Sequence, residues 1–168
     1  MMGRAFTLSA LVAFLIDQIS KYVVVHMWDL ARIRSIDVAP PWLNFRYGEN
    51  CGINFGMFGG CTELSRWILI GLAVVISVAV TIWLRRTTQP RLALISGGIL
   101  VGGALANVLD RLLYGYVLDF LNNSVPGWNN PFVYNVADIF IFAGAFGLII
   151  FSSDGKKPRA GTASKKRQ

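Results

Sequence analysis

Apolar residues along this chain fall into four long blocks separated by polar, turn-rich stretches. The blocks are Ala5–Val25, interrupted by Asp17, Ser20 and Lys21; Trp67–Leu84 and Leu92–Leu109, both without charge; and Phe132–Phe151, whose one charge is Asp138. Each block is 18–21 residues long, close to the ~20 that cross a hydrocarbon core. Their apolar residues are clustered rather than confined to one helical face, which predicts four transmembrane helices. Arg4 ahead of the first block mimics a secretory signal, but no small-x-small cleavage site follows and apolar character resumes after Lys21, so this block reads as a retained span.

The connection His26–Arg66 is too long for a simple turn. Leu43, Phe45 and Tyr47 alternate with Asn44, Arg46 and Gly48, and Ile53, Phe55 and Met57 alternate with Asn54, Gly56 and Phe58. A period of two on both sides of Gly48–Gly52 predicts a β-hairpin over about 42–58. Open sheet edges do not lie in lipid, so the hairpin is expected on the membrane surface. Gly59–Ser65 is expected as a short helix or loop with Ser65 as a possible cap. Gly98 and Gly102, and Ala143 and Gly147, have the small-xxx-small spacing that lets helices approach closely.

Composition agrees with a membrane protein: 54% of the 168 residues are hydrophobic and 15% charged, against about a quarter charged in a soluble domain. The net charge of +7 does not point to nucleic acid, because no aromatic residues are interleaved with the basic ones. Arg4, the loop residues Arg85, Arg86 and Arg91, and the tail residues Lys156, Lys157, Arg159, Lys165, Lys166 and Arg167 all fall on one side of a four-span chain. The positive-inside rule then places both termini in the cytoplasm and the connections His26–Arg66 and Asp110–Pro131 outside. The tail 153–168 is expected to be polar and to touch anionic membrane lipid. Cys51 and Cys61 lie in the first outer connection, where an oxidising compartment permits a disulfide and free thiols are the alternative. Two cysteines without a nearby histidine do not make a metal site.

Candidate chemistry gathers at the outer ends of the last two blocks. Asn107 and Arg111 are four apart and share a helical face; Asp110, adjacent, points elsewhere; Asn135 and Asp138 are three apart and share another. Asp119 lies between these two groups, so Asp119 and Asp138 can converge. Two close carboxylates raise one another's proton affinity and titrate as a unit with one shared proton. The ionised member can then activate a water and the protonated member can donate to a peptide carbonyl. The alternative is structural, with Asp119 paired to Arg111 and Asp138 capping the fourth helix. Asp17 and Lys21 form an i,i+4 pair in the first block that neutralises itself. His26, Asp29 and Asp37 read as ordinary loop residues, and no serine has a base at a useful spacing.

These residues fall in ordered motifs. Asp17-Gln18-Ile19-Ser20-Lys21, Asn50-Cys51-Gly52-Ile53-Asn54-Phe55, Gly102-Gly103-Ala104-Leu105-Ala106-Asn107-Val108-Leu109-Asp110-Arg111, Gly115-Tyr116-Val117-Leu118-Asp119-Phe120 and Phe132-Val133-Tyr134-Asn135-Val136-Ala137-Asp138 resemble, in order, the DQxSK, NxGxxF, GGALxNxxDR, GxVxDF and FNxAD elements of the lipoprotein signal peptidase (signal peptidase II) family. The resemblance covers nearly the whole chain. It departs from the family pattern where Ile53 and Asn54 stand in place of small residues and Cys51 precedes the glycine.

The resemblance implies an all-α membrane protein of four transmembrane helices with a small periplasmic β-cradle, in the bacterial inner membrane, with its active site facing the periplasm. It implies an aspartyl endopeptidase that cuts diacylglyceryl-prolipoproteins before the lipidated cysteine, with Asp119 and Asp138 as the catalytic pair. Asn50, Gly52, Asn107, Arg111 and Asn135 then support the site or bind substrate, and Asp17 and Lys21 act structurally or indirectly. No metal or cofactor is expected, and the protein is expected to be a monomer. The rival readings are a small proton-coupled transporter and a non-catalytic lipoprotein chaperone with the same groove.

Overall fold

The computed structural model describes residues 3–52 and 61–152. In chain order the elements are helix α1 (Gly3–Lys21), prolonged by a π-helical stretch Tyr22–Met27; a single-turn helix α2 (Leu30–Ile33); strands β1 (Ser35–Ala39) and β2 (Leu43–Asn50); helices α3 (Glu63–Arg86) and α4 (Arg91–Tyr114); strand β3 (Val117–Asn122); and helix α5 (Val136–Phe151). The fold is mostly helical with one small sheet. Three helical segments, Gly3–Met27, Glu63–Arg86 and Arg91–Tyr114, are long and apolar enough to cross a membrane, and α5 is a shorter apolar helix.

Helix α4 is the centre of the bundle: most of its apolar length is buried, whereas α1 with its π-helical extension and α3 leave most of theirs exposed. Glycines make this possible. A Cβ at Gly102 would stand 2.2 Å from the carbonyl oxygen of Ala10, and one at Gly98 would stand 2.0 Å from Ser9 Oγ, so α1 lies directly on the α4 backbone. Gly103 faces Ala137 on α5 in the same way. On α5 itself the close approach is made by Gly144 and Gly147 against Ser96 and Leu100. Ala143 is exposed. The expected Ala143/Gly147 pair is therefore replaced by a three-residue spacing, because Gly144 rather than Ala143 turns toward α4. The outward faces carry Val75, Phe142, Phe146 and Ile149, all more than half exposed, as suits helices set in lipid.

Several expected boundaries move. The fourth apolar block is helical only from Val136, because Asn135 caps the helix there and Phe132 to Tyr134 are extended, with Tyr134 bridged to Leu121. The third block continues as helix to Tyr114, so Asp110 and Arg111 are helical and not in a connection; Gly115, at φ +88°, ends it. Thr62, not Ser65, caps α3: its side chain accepts the backbone N–H of Ser65 at 3.2 Å.

The sheet is antiparallel in the order β1-β2-β3. Strand β2 is the expected first arm of the hairpin, but its partners are β1, with Ile36 opposite Phe45, and β3, with Gly48 opposite Asp119 and Asn50 opposite Val117. Both edges of β2 are thus occupied by strands from elsewhere in the chain. The expected second arm, Ile53–Phe58, lies outside the described residues, as does the basic tail 153–168. Phe120 is buried with Val24 and Leu30 and meets Phe45 edge-on at 5.6 Å, which seats the sheet on the π-helical extension of α1 and on α2. Cys51 and Cys61 are paired as a disulfide, with their Cα atoms 4.9 Å apart.

Candidate active site

Asn135 holds both aspartates of the predicted pair. It is fully buried at the N-cap of α5, where its Oδ1 accepts the backbone N–H of Asp138 at 2.9 Å and its own backbone N–H is donated to Asp138 Oδ2 at 3.3 Å. This reciprocal capping box satisfies two of the donors that a helix start leaves unpaired. The remaining group of the Asn135 side chain, its Nδ2, donates to Asp119 Oδ1. Asp138 therefore shares in capping α5, much as the structural alternative has it. The same cap links it to Asp119.

Asp119 sits on β3, not at a helix end, and is 2% exposed. Its second oxygen, Oδ2, accepts Asn50 Nδ2 at 3.0 Å, and Asn50 Oδ1 in turn accepts the backbone N–H of Gly52 at 2.9 Å. Gly52 is needed twice over: its φ is +94°, and a Cβ would stand 2.2 Å from Leu69 Cδ1. Among the described residues Asp119 has no ion pair. Arg111, the expected alternative partner, donates its Nη1 back to the carbonyl oxygen of Asn107 at 3.3 Å, while its charge acts on Asp138, Asp110 and Asp119 from beside the site. Burial first, and then the nearby Asp138 carboxylate, push the proton affinity of Asp119 up to about 7, although the Asn135 and Asn50 donors favour its ionised form.

Beneath the pair lies a buried charge cluster. Lys21 Nζ is 2.7 Å from Asp17 Oδ2 and 2.6 Å from Asp110 Oδ2, and it donates to Asn107 Oδ1 at 3.2 Å. With its oxygen on Lys21, the Asn107 amide turns its Nδ2 to Asp138 Oδ1 at 3.0 Å. The two acids reach the dyad through its backbone. Asp17 Oδ1 accepts the N–H of Ala137 at 2.8 Å, and Asp110 Oδ2 accepts the N–H of Leu118 at 3.1 Å. Each of these donors immediately precedes an aspartate of the pair.

The structure thus joins Asp119, Asp138, Asn50, Asn107 and Asn135 by hydrogen bonds, those between Asn135 and Asp138 running through backbone N–H groups, with Gly52, Asp17 and Lys21 one step behind and Arg111 alongside. Asp110, expected to point elsewhere, and Gln18, given no role of its own, belong to this network too. Asp110 does not point away: it is 1% exposed and closes the charge cluster, with Gln18 Nε2 donating to its Oδ1 at 2.9 Å. The signal for Asp110 was its three-residue spacing from Asn107, which puts both on one face. A buried, partly water-accessible carboxylate pair whose members differ in exposure can share a proton and act as acid and base on one substrate.

The sequence profile of the family described as Signal peptidase (SPase) II matches residues 9–153. Proteins named lipoprotein signal peptidase are similar over most of the chain. That of Alteromonas mediterranea is 38% identical over 98% of this chain and 90% of its own length. That of Methylobacterium radiotolerans is 37% identical over 95% and 93%, and that of Sphingopyxis alaskensis 35% identical over 83% and 80%. A bacterial membrane enzyme solved by the in meso method at 1.9 Å superposes with a TM-score of 0.73 at 26% identity, over 86% of this chain and 90% of that one. With that match in sequence along nearly its whole length, and in fold, the chain belongs to the signal peptidase II family.

Proposed function

We propose that this protein is a membrane aspartyl endopeptidase that removes signal peptides from bacterial prolipoproteins by cutting before a diacylglyceryl-modified cysteine. The observation that carries the reading is the link through Asn135, whose amide serves Asp119 while its backbone and carbonyl oxygen serve Asp138. Asp119, buried and with its proton affinity raised to about 7, holds the shared proton and donates it to the scissile carbonyl oxygen. Asp138, half-buried and therefore closer to water, takes the proton of the attacking water. Asn50, Asn107 and Asn135 fix the two carboxylates, and Arg111 supplies a positive charge beside them for substrate carbonyls.

The chain crosses the inner membrane four times, with α5 as the fourth span and both termini in the cytoplasm. Arg85, Arg86 and Arg91 lie at the opposite end of the bundle from the dyad, which supports an active site that faces the periplasm. The signal helix and the acyl chains of the substrate approach through lipid, and the sheet forms the wall beside the dyad. The protein acts as a monomer, without metal or cofactor.

The test is a gel-shift cleavage assay on a diacylglyceryl-prolipoprotein and its unlipidated control. Asp119→Asn and Asp138→Asn are each expected to slow cleavage of the lipidated form by about 10²–10⁴-fold. Processing at the normal rate by either variant would overturn the aspartyl mechanism. Binding without product would select the chaperone reading, and a substrate-dependent proton current in liposomes would select the transporter.

A further inference from the structure

The Cys51–Cys61 disulfide links the end of β2 covalently to the start of α3. Cys51 directly follows Asn50, the last residue of β2 and a hydrogen-bond donor to Asp119. It also lies between the two halves of the turn in which Gly52 N–H meets Asn50 Oδ1. Cys61 directly precedes Thr62, the cap of α3. The start of α3 is in turn fixed to the end of α4, since Arg66 Nη2 donates to the carbonyl oxygen of Leu112 at 3.1 Å. A covalent path therefore runs from the helix bundle through Cys61 and Cys51 to the amide that bonds Asp119. Without the bridge, Asn50 is the terminal residue of a strand, where pairing is weakest and ends fray.

We infer that the Cys51–Cys61 disulfide is a positioning element for the proposed catalytic pair, holding the Asn50 amide on Asp119. The inference rests on the aspartyl reading above, because it is through Asp119 that the bridge would be felt. Opening the bridge with dithiothreitol transfers two electrons and two protons, giving two thiols and oxidised dithiothreitol. Asn50 then samples positions from which it no longer reaches Asp119.

The experiment measures lipoprotein cleavage by the purified full-length protein in four forms: wild type, Cys51→Ser/Cys61→Ser, Asn50→Ala and the triple variant. Wild type is also assayed before and after dithiothreitol, with a maleimide-polymer gel shift to count thiols. Loss of the bridge, by substitution or by reduction, is expected to lower kcat roughly 10-fold, the scale of one lost hydrogen bond, with little change in KM. Reoxidation should restore the rate, which separates positioning from failure to fold. The serine pair should slow wild type but add nothing in the Asn50→Ala background, because both changes remove the same contact. Two free thiols in protein kept oxidised, an unchanged rate after proven reduction, or additive losses in the triple variant would each overturn the inference. If Asp119→Asn cleaves normally, the aspartyl reading itself fails, and that result is read independently of the cysteines.

Discussion

The backbone N–H of Ala137 is donated at 2.8 Å to the carboxylate of Asp17, 120 positions away in the chain. Leu118 makes the matching bond to Asp110. The aspartates proposed as catalytic are therefore each preceded by a residue held by an acid of the Lys21 cluster. One buried cation sets the position of a helix start and of a strand at once, and with them the separation of Asp138 from Asp119.

Lys21→Met is expected to be among the most damaging single changes outside the pair. It leaves Asp17 and Asp110 buried without their counter-charge and releases the Asn107 amide. Breaking a buried ion pair from one side costs about 3–5 kcal/mol. Thermal unfolding in detergent, followed by tryptophan fluorescence, should show a correspondingly large fall in Tm, and cleavage should fall with it. A variant that melts like wild type would show that the cluster does not hold the bundle ends together.

Cleavage should decline as pH rises through about 7. Asp119 has its proton affinity raised to that value, so it is neutral below and ionised above. The proposed mechanism needs its proton, and above that pH the two carboxylates repel one another with no acid left to donate. The check is the pH dependence of kcat on the lipidated substrate. A rate that stays flat or climbs from pH 6 to pH 9 would remove Asp119 from the role of acid.

Asn135 is expected to separate stability from chemistry. Asn135→Ala removes the helix cap, worth about 1 kcal/mol, and one of the donors that favour ionised Asp119. The proton affinity of Asp119 then rises, and the alkaline limb of the rate profile moves to higher pH. Asn135→Ser keeps a capping oxygen but supplies no amide donor to Asp119. It should recover Tm while leaving the limb displaced. Recovery of both by serine would mean that the bond to Asp119 is without consequence.

Gly102→Val should loosen α1 from α4, since its first added carbon would fall 2.2 Å from a backbone oxygen that cannot yield. Overpacking of this kind costs about 1–3 kcal/mol or more. Gly71→Ala on α3 is the control: no atom lies within 4 Å of an added Cβ, and alanine favours helix, so Tm should hold or rise. Equal losses at the two positions would contradict the glycine-mediated contact.

The legible parts of this chain were those written in short-range pattern. Long uncharged runs such as Trp67–Leu84 announce themselves by length, and Asn107, Asn135 and Asp138 by helical spacing and by motif. The parts that were missed depend on partners far away in sequence. Strand β3 reads Val117-Leu118-Asp119-Phe120-Leu121-Asn122 and is buried on both faces but for Leu121, so it lacks the alternation that marks a half-exposed strand. Strand β1, mostly exposed, carries little apolar signal of its own. Apolar character runs on through Phe132 and Val133, so the pattern predicts a start four residues ahead of α5, whose first turn is fixed only by the capping box at Asn135. The inward turn of Asp110 is only partly legible in local spacing, because its partners, Lys21 and Leu118, come from another helix and a strand.

Helix α5 has 16 residues, and at ~1.5 Å per residue it extends about 24 Å, some 6 Å less than a typical hydrocarbon layer of about 30 Å. As the proposed fourth span, a helix this short draws the bilayer inward around its first turn or leaves that turn below the headgroups. The dyad would then work in a dimple, where water comes down to meet a lipid-tethered peptide that need not be lifted out. Turnover should consequently track acyl-chain length, fastest in thin bilayers and slowing as the membrane thickens.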